Sequence, residues 1–411
     1  MVGYNLKVEF QVEIGASMKV LVYRYNSIYE PDVISVFKSF GLDVIEECVE
    51  MTDKKITSGE RVKMIADYII SAREKNDPLL FVFSINFYPA ISEICEKLDT
   101  IYACWSVDCP VIELFFNAIK NKHNRVFLFD RTQYERFAPY NPENIFYLPL
   151  ATNVDRQDAV IDSITDNDRK RFSADISFVG SLYNEKNKLK EMDMDDYSKG
   201  YIDGLIQAQL PVYGCNFIES ALDDKVVEAL KGETIKLDDP NVVEPIDRFY
   251  AAHNLIGMQL AEVERIQTLN MLAQDFNVDL YTQSDTSPLQ NVHVKGPAKS
   301  LSEMPKVFHL SKINLNITMR PIQTGLPLRI FDVLGCGGFL ITNYQAEIPD
   351  LFEIGVDLET YSSMEELHQK CAYYLEHEDE RKQIAENGYR KVKQLHDCKQ
   401  RMQTMLSYMI H

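Results

Sequence analysis

Short apolar runs separated by segments of helical spacing recur along the first part of this chain. The runs are too short to be helices, and they lack the polar alternation of a strand with one exposed face. Runs of this kind predict strands buried on both faces, as in a parallel sheet that helices cover on both sides. They lie at Val20–Tyr23, Leu79–Phe83, Ile101–Trp105, Val126–Phe129 and Ile145–Leu150.

A second series of the same kind follows later in the chain. It begins with the strand Asp175–Gly180 and continues with strands at Val278–Tyr281 and Ile313–Ile317. Two such series predict an α/β fold with two Rossmann-like domains. Ligands of open α/β sheets bind beyond the carboxyl ends of the strands, so two domains with facing carboxyl ends would form a cleft that holds the active site.

The same patterning predicts where the domains begin and end. Residues 18–150 form the first domain, residues 173–392 the second, and the charged segment 151–172 connects them. A stretch rich in Asp, Glu and Lys at about residues 184–254 interrupts the second domain as a helical insert. Residues 1–17 alternate apolar and polar side chains as a half-exposed strand does, and we treat them as an amino-terminal extension of unknown role.

Composition excludes several classes of partner. With 411 residues, 45% of them hydrophobic, the chain suits two folded domains. Its formal net charge of −19 disfavours nucleic acid and anionic lipid surfaces, because affinity for both comes from Lys and Arg. The eight cysteines include no Cys-x-x-Cys spacing, which is typical of reduced cytosolic thiols. Because we find no signal peptide and no apolar run that could span a membrane, we expect a cytoplasmic protein without an integral membrane segment.

The most informative segment runs from Thr324 to Asn343. A Gly-Leu-Pro turn that begins at Gly325 leads into a short helix, and a glycine cluster ends this helix before a buried strand. A helix start carries unpaired backbone N–H groups and a partial positive charge, which together bind an anion such as a diphosphate. Arg329 would add a bidentate positive charge, and Asp332, one turn later, would accept hydrogen bonds from sugar or ribose hydroxyls. The alternative is an ordinary helix–strand unit with a surface arginine.

Other residues of the second domain are candidates for the same ligand. Gly180 and Ser181 follow its first strand, where glycine lets the backbone approach a phosphate; the alternative is a simple strand-end turn. Arg320 is a second cation beside the Gly-Leu-Pro turn, and Arg329 ranks above it. Tyr281 ends another strand and would border a nucleobase, unless it belongs to the core. The chain has no GxGxxG fingerprint and no P-loop, so classical dinucleotide dehydrogenases and P-loop NTPases lose support.

Several segments together resemble one family. They are Phe83–Asp99, Trp105–Pro110, Val126–Phe137, Asp175–Asn187 and Thr324–Asn343. In order and number they are similar to the spore-maturation (CgeB-like) bacterial glycosyltransferases, and the likeness extends over nearly the whole chain from Met18. The resemblance implies the GT-B fold, with two Rossmann-like domains facing a cleft and a last helix, residues 393–411, that crosses back to the first domain. Many retaining GT-B enzymes hold two glutamates eight positions apart; here Thr324 stands at the first position and Asp332 at the second.

In the first domain, Asp108 is the carboxylate that we expect to act in catalysis. It comes just after the strand that contains Trp105, so it lies at a carboxyl end that faces the cleft. An inverting transfer needs a general base to take the proton of the acceptor hydroxyl. The alternative is a helix cap or a structural salt bridge. Asn86 and Tyr88, at the end of another strand, would bind acceptor hydroxyls.

The expected function is therefore transfer of a sugar from a nucleotide-diphosphate sugar, with uridine as the expected nucleoside, to a glycan, peptide or lipid-linked acceptor of the cell or spore surface. No cofactor and no metal are expected, because the helix start, Arg329 and the Gly180–Ser181 loop would neutralise the leaving diphosphate. The alternatives are another GT-B activity, such as an epimerase or a phosphorylase, and a non-catalytic carbohydrate-binding or surface-assembly protein. The residues do not specify the donor sugar, retention or inversion, or the oligomeric state.

Overall fold

The computed structural model describes residues 18–231 and 241–409, so the strand predicted within residues 1–17 lies outside the described residues. Within these described residues, twelve strands form two sheets of six, and every pairing within each sheet is parallel. Helices surround both sheets. The prediction of an α/β fold with two Rossmann-like units is thereby confirmed.

The first sheet contains β1 (Lys19–Tyr23), β2 (Asp43–Glu47), β3 (Leu79–Ile85), β4 (Tyr102–Trp105), β5 (Asn124–Leu128) and β6 (Ile145–Tyr147), in the order β2-β1-β3-β4-β5-β6. The second sheet contains β7 (Ala174–Val179), β8 (Val278–Tyr281), β9 (His293–Val294), β10 (Ser311–Asn316), β11 (Leu340–Asn343) and β12 (Glu359–Tyr361), in the order β12-β11-β10-β7-β8-β9. We call the first sheet, with the helices packed on it, the first lobe, and the second sheet, with its helices, the second lobe.

The α-helices of the first lobe and of the connecting segment are α1 (Glu30–Ser39), α2 (Val49–Thr52), α3 (Ser58–Glu74), α4 (Pro89–Lys97), α5 (Arg131–Phe137), α6 (Val154–Asp162) and α7 (Asp166–Phe172). Those that follow are α8 (Asp196–Gln209), α9 (Ile218–Ala221), α10 (Asp224–Leu230), α11 (Asp247–Phe249), α12 (Gly257–Leu272), α13 (Met304–Leu310), α14 (Leu328–Gly335), α15 (Ile348–Leu351), α16 (Met364–Glu376), α17 (Glu378–Leu395) and α18 (Cys398–Met409). No helix in the described part of the chain is both long enough and apolar enough to cross a membrane.

The strands of the first sheet form where both faces of an apolar run can be buried. In β1, which pairs with β2 on one side and β3 on the other, Val20, Leu21 and Tyr23 are all fully buried. Helices have their own local signals. The hydroxyl of Thr57 accepts a hydrogen bond from the backbone N–H of Glu60, and the Glu60 side chain returns the contact, so a capping box begins α3.

The carboxyl ends of the two sheets face each other. Asp130, directly after β5 of the first lobe, accepts hydrogen bonds from backbone N–H groups of Gln323 and Gly325, which lie after β10 of the second lobe. Because both positions follow the carboxyl ends of their strands, this contact brings the carboxyl ends of the two sheets together. The carboxyl ends of the two sheets therefore meet at this junction, which is the side on which open α/β sheets bind ligands.

The last helix, α18, lies on the first lobe, although the helices before it pack on the second. The ring of Tyr408 stacks on Phe146 at a centroid distance of 4.4 Å, and Arg125 Nε donates to the Tyr408 carbonyl at 3.2 Å. Where the chain crosses, the backbone N–H of Cys398 donates to the carbonyl of Thr152 at 2.9 Å. The connecting segment and the carboxyl terminus therefore cross between the lobes side by side.

The insertion, residues 184–254, leaves the second sheet after β7 and returns to it through α12. Its described part contacts the first lobe: Glu219 pairs with Arg136 at 2.9 Å, and Phe249 packs on Phe115 with centroids 4.7 Å apart. The insertion thus interrupts the second domain in sequence but bridges the two lobes in space. Sequence patterning could not show this, because it reveals which faces of short helices are apolar but not what covers them.

Candidate active site

Asp108 and Asn86 meet at the carboxyl ends of β4 and β3. Asn86 Nδ2 donates to Asp108 Oδ2 at 2.6 Å and to the Tyr25 hydroxyl at 3.0 Å, and its Oδ1 accepts the backbone N–H of Val107 at 3.0 Å. Asn86 has φ of 57°, a left-handed conformation that asparagine tolerates better than most residues. Asp108 itself is exposed. Burial raises the pKa of the Tyr25 hydroxyl, and the charge of Asp108 raises it further.

Tyr88 belongs to a neighbouring cluster of the first lobe. Its hydroxyl donates to Glu50 Oε1 at 3.4 Å, and the guanidinium of Arg61 lies 5.0 Å from its ring centroid. Arg61 Nη2 also donates to Glu50 Oε2 at 2.9 Å, so the two charges neutralise each other. This wall of the cleft therefore combines aromatic surface with paired charges, which suits the apolar faces and hydroxyl edges of a sugar.

Gly180 and Ser181 lie beside Tyr281 in the second lobe. The backbone N–H of Gly180 donates to the Tyr281 carbonyl at 3.1 Å, and the Ser181 carbonyl accepts a hydrogen bond from Arg265 Nη1. Tyr281 is only 4% exposed and its ring faces that of Phe172. Its contact with a nucleobase stays a prediction, and the packing favours the core alternative for its side chain.

Arg329 lies in the first turn of α14 with few partners. Pro327, the residue that caps this helix, provides no side-chain hydrogen bond to the first turn. The guanidinium covers the ring of Phe308 at 4.8 Å, and its Nη1 is 3.6 Å from Asp332 Oδ2. In the part of the chain that the structure describes, its one hydrogen-bond acceptor is the sulfur of Met304, at 4.0 Å. The strong donors of this guanidinium are therefore available to a ligand.

A second guanidinium, that of Arg265 on α12, increases the positive charge here. Burial lowers the pKa of Arg329; the carboxylate of Asp332 opposes this, and the charge of Arg265 lowers it further. A guanidinium that is desolvated beside another cation is stabilised by any anion that binds between them. The arrangement is suited to a multiply charged anion such as a diphosphate.

Asp332 faces the connection between the lobes. It is 9% exposed, and its Oδ1 accepts the hydroxyl of Thr152 at 2.8 Å. Burial raises its pKa, while Arg329 and this hydrogen bond lower it. The predicted ribose contact requires the Thr152 hydroxyl to be shared or displaced, and it stays a prediction.

Arg320 is placed in the interior of the second lobe. It is 3% exposed, its Nη2 donates to Glu264 Oε1 at 2.9 Å, and Tyr213 covers its guanidinium at 4.3 Å. Charges are this deeply buried when they are paired, so the buried carboxylate of Glu264 accounts for the position of Arg320. This placement argues against a diphosphate contact by Arg320.

Thr324 and Gly325 belong to a turn that the first lobe covers. Their backbone N–H groups, and that of Gln323, all donate to Asp130 Oδ2 at 2.8 to 2.9 Å. The hydroxyls of Thr324 and Thr132 are 3.2 Å apart. The N–H groups of this turn do contact an anion, but it is a carboxylate of the protein, and the predicted diphosphate contact stays a prediction. A diphosphate at these amides would have to displace Asp130, so the geometry favours the Arg329 side of the helix instead.

Two residues that sequence reasoning missed, Arg265 and Asp130, are central to this arrangement. Asp130 follows a buried strand directly, the same signal that identifies Asp108, so a stricter search of strand ends could have found it. Arg265 lies within a helix, where no local pattern distinguishes it. Glu50 and Arg61 were missed for the same reason, since they meet Tyr88 only through the fold.

The described residues, 18–231 and 241–409, contain no group of three or more His, Cys, Asp or Glu side chains placed to hold a metal ion. The two Asp-x-Asp sequences, at 166–168 and 193–195, lie at helix starts: Asp168 takes part in the capping box of α7, and Asp195 accepts the Ser198 N–H at the start of α8.

Part of the second lobe matches a known protein family. Residues 264–407, which include Arg265, Arg329 and Asp332, match the family model described as glycosyl transferase-like. No curated protein matches the chain.

Solved structures match nearly the whole chain. A glycosyltransferase from Rickettsia africae ESF-5 is 11% identical, with a TM-score of 0.53 over 96% of this chain and 98% of that one. Anabaena HepE in complex with UDP-glucose is 11% identical, with a TM-score of 0.51 over 95% and 98%. Sucrose-phosphate synthase from Thermosynechococcus elongatus is 9% identical, with a TM-score of 0.51 over 95% and 98%. At these identities the likeness shows the fold, which is GT-B.

Proposed function

We propose that this protein is a glycosyltransferase that moves a sugar from a nucleotide-diphosphate sugar, with a uridine nucleotide as the first choice, to an acceptor hydroxyl. The single observation that carries the proposal is the guanidinium of Arg329 at the start of α14, to which no oxygen is hydrogen-bonded among the described residues. The family match over residues 264–407 supports transfer of a glycosyl group. Uridine is supported by HepE, which was solved with UDP-glucose.

The second lobe would bind the donor. Arg329, Arg265 and the uncapped start of α14 would stabilise the negative charge that develops on the leaving diphosphate. Preorganised groups of this kind are the largest single catalytic contribution in many enzymes. Because they neutralise the diphosphate with protein charges, we propose that no resident metal is needed. Activity retained after treatment with EDTA would support this, and activity restored only by a divalent cation would contradict it.

The first lobe would bind the acceptor. Asp108 would take the proton of the attacking hydroxyl, while Asn86 holds the carboxylate in place. Tyr88, with Glu50 and Arg61, would form the wall against which the acceptor lies. The acceptor that we propose is a glycan, peptide or lipid-linked hydroxyl compound, made available on the cytoplasmic side of the membrane.

Binding of nucleotides is the direct test of the donor site. We expect UDP and UDP-glucose to raise the melting temperature, because a ligand at 100 times its Kd adds about 2.7 kcal/mol to the free energy of unfolding. Differential scanning fluorimetry with a panel of nucleotides measures this. UMP, which lacks the diphosphate, is the matched control and should stabilise less.

Two results would contradict the proposal in different ways. No shift with any nucleoside diphosphate would favour a non-catalytic carbohydrate-binding or surface-assembly protein. Conversion of UDP-glucose without an acceptor would instead indicate an epimerase or a hydrolytic activity, and product analysis with and without an acceptor separates these outcomes.

A further inference from the structure

The turn that precedes α14 is bound by a carboxylate of the other lobe. Asp130 is fully buried, and both of its oxygens are used. Oδ2 accepts three consecutive N–H groups, those of Gln323, Thr324 and Gly325, while Oδ1 accepts the N–H of Gln133 in the first turn of α5. One side chain therefore begins a helix of the first lobe and fixes the turn from which α14 starts in the second.

The close approach of the two lobes at this point depends on Gly325. A Cβ atom at that position would lie 2.8 Å from the Cα of Asp130 and 3.0 Å from its Cβ. Such distances are well inside van der Waals contact, and the nearer one involves backbone that cannot turn away. Glycine at 325 is thus explained by the close approach of the Cα and Cβ atoms of Asp130.

The second lobe supplies a reciprocal contact. Glu347, which precedes α15, accepts the backbone N–H of Arg131 at 2.8 Å through Oε1, and its own N–H donates to the carbonyl of Thr324 at 3.2 Å. Glu347 is 2% exposed. In each lobe, therefore, a buried carboxylate accepts backbone N–H from the other lobe: three groups for Asp130 and one for Glu347. The turn at 323–325 contacts both residues.

We propose that Asp130 is a positioning residue of the donor site, and this proposal rests on the function proposed above. Arg329 lies four residues beyond Gly325, in the first turn of α14, and this helix has no side-chain cap. Asp130 binds the turn before the helix and leaves the first-turn N–H groups of α14 uncapped: it fixes the turn, and the turn fixes the start of α14 and the direction of Arg329. Donor binding by the second lobe then depends on contact with the first lobe, so closure of the cleft and assembly of the donor site are one event.

Hydrogen exchange tests the contact itself. In the full-length protein, Asp130→Ala should speed exchange of the N–H groups of Gln323, Thr324 and Gly325, measured by mass spectrometry on peptides that cover residues 319–328. Asp130→Asn keeps one oxygen acceptor for these three N–H groups but turns its NH2 toward the N–H of Gln133, so it should restore part of the protection. The control is Asp350→Asn, which removes a carboxylate from a half-exposed pair with Arg131 at the same interface. Unchanged exchange in Asp130→Ala would overturn the proposal.

Binding and turnover test the consequence for the donor. UDP affinity, measured by calorimetry, should fall about tenfold in Asp130→Ala, a usual size for coupling between two sites. Asp130→Asn should recover part of the lost UDP affinity, and the UDP affinity of Asp350→Asn should equal that of the wild-type protein. If the turn loosens but UDP affinity does not change, the positioning role is wrong.

A second variant and a control on the wild-type protein complete the test. Should Asp130→Ala fail to fold, Gly325→Ala approaches the same contact from the other lobe and should weaken UDP binding, and wild-type affinity in this variant would contradict the proposal. If the wild-type protein binds neither UDP nor UDP-glucose, the proposed function fails together with the donor-site role. That result does not involve Asp130 and is therefore distinguishable.

Discussion

Arg329→Ala is expected to lower the rate of sugar transfer by about 100-fold to 1,000-fold, the range found when one donor that stabilises developing charge is removed. The physical reason is that this guanidinium has no hydrogen-bonded oxygen among the described residues, only an ion-pair contact of 3.6 Å with Asp332. It also lies beside the cation Arg265, so its charge is available to the leaving diphosphate. Steady-state kinetics with UDP-glucose and the best acceptor of a panel measures the effect. The larger loss should be in kcat, because the charge grows as the glycosidic bond breaks.

Two variants separate charge from folding. Arg329→Lys keeps one positive charge without the planar fork, so it should retain part of the activity. Arg390→Ala, at an exposed position of α17, removes an arginine whose partner is Glu386 one turn away, and the activity of this variant should equal that of the wild-type protein. Wild-type turnover in a folded Arg329→Ala variant would remove this residue from the mechanism. Equal losses in Arg329→Ala and Arg390→Ala would indicate a general effect on stability.

The fold could be predicted from the sequence where burial is strong and local. Runs such as Val20–Tyr23 and Val126–Phe129 are apolar on both faces because helices cover both sides of the sheet, and the structure places β1 and β5 there. The short edge strand β12 (Glu359–Tyr361) was not predicted, since three residues carry no periodicity. The π-helical turns at Tyr250–Ile256, which precede α12, have no pattern that sequence reasoning detects.

The candidate site could be predicted only in part, for a similar reason. Asp108 and Asn86 follow buried strands, and the rule that ligands bind beyond strand ends identifies them without knowledge of their contact. The partners of the turn at Gly325 could not be predicted, because the nearest anion comes from a residue almost two hundred positions away in the chain. Sequence chemistry indicates that a turn binds an anion, and only the tertiary structure shows which anion is there.

Asp108→Asn is expected to lower kcat by about 100-fold to 10,000-fold if transfer inverts the anomeric centre, which is the usual contribution of a general base. The change keeps the size of the side chain and a hydrogen-bonding oxygen, but an amide cannot take the proton of the acceptor hydroxyl. Asn86 Nδ2, which donates to Asp108 Oδ2 at 2.6 Å, can donate equally to the amide oxygen, so the local structure should persist. UDP affinity should not change, because the donor is bound by the other lobe.

The matched control is Asp99→Asn, which makes the same chemical change at an exposed carboxylate of the first lobe. Its side chain is 83% exposed, and it has a left-handed backbone that asparagine adopts readily. The turnover of Asp99→Asn should equal that of the wild-type protein. Asp108→Asn, in contrast, should have lower turnover while its UDP affinity is unchanged. Full activity of Asp108→Asn with the same donor and acceptor would exclude Asp108 as the base. Such a result would favour a retaining reaction, in which the leaving diphosphate, held by Arg329 and Arg265, is itself the group that accepts the proton.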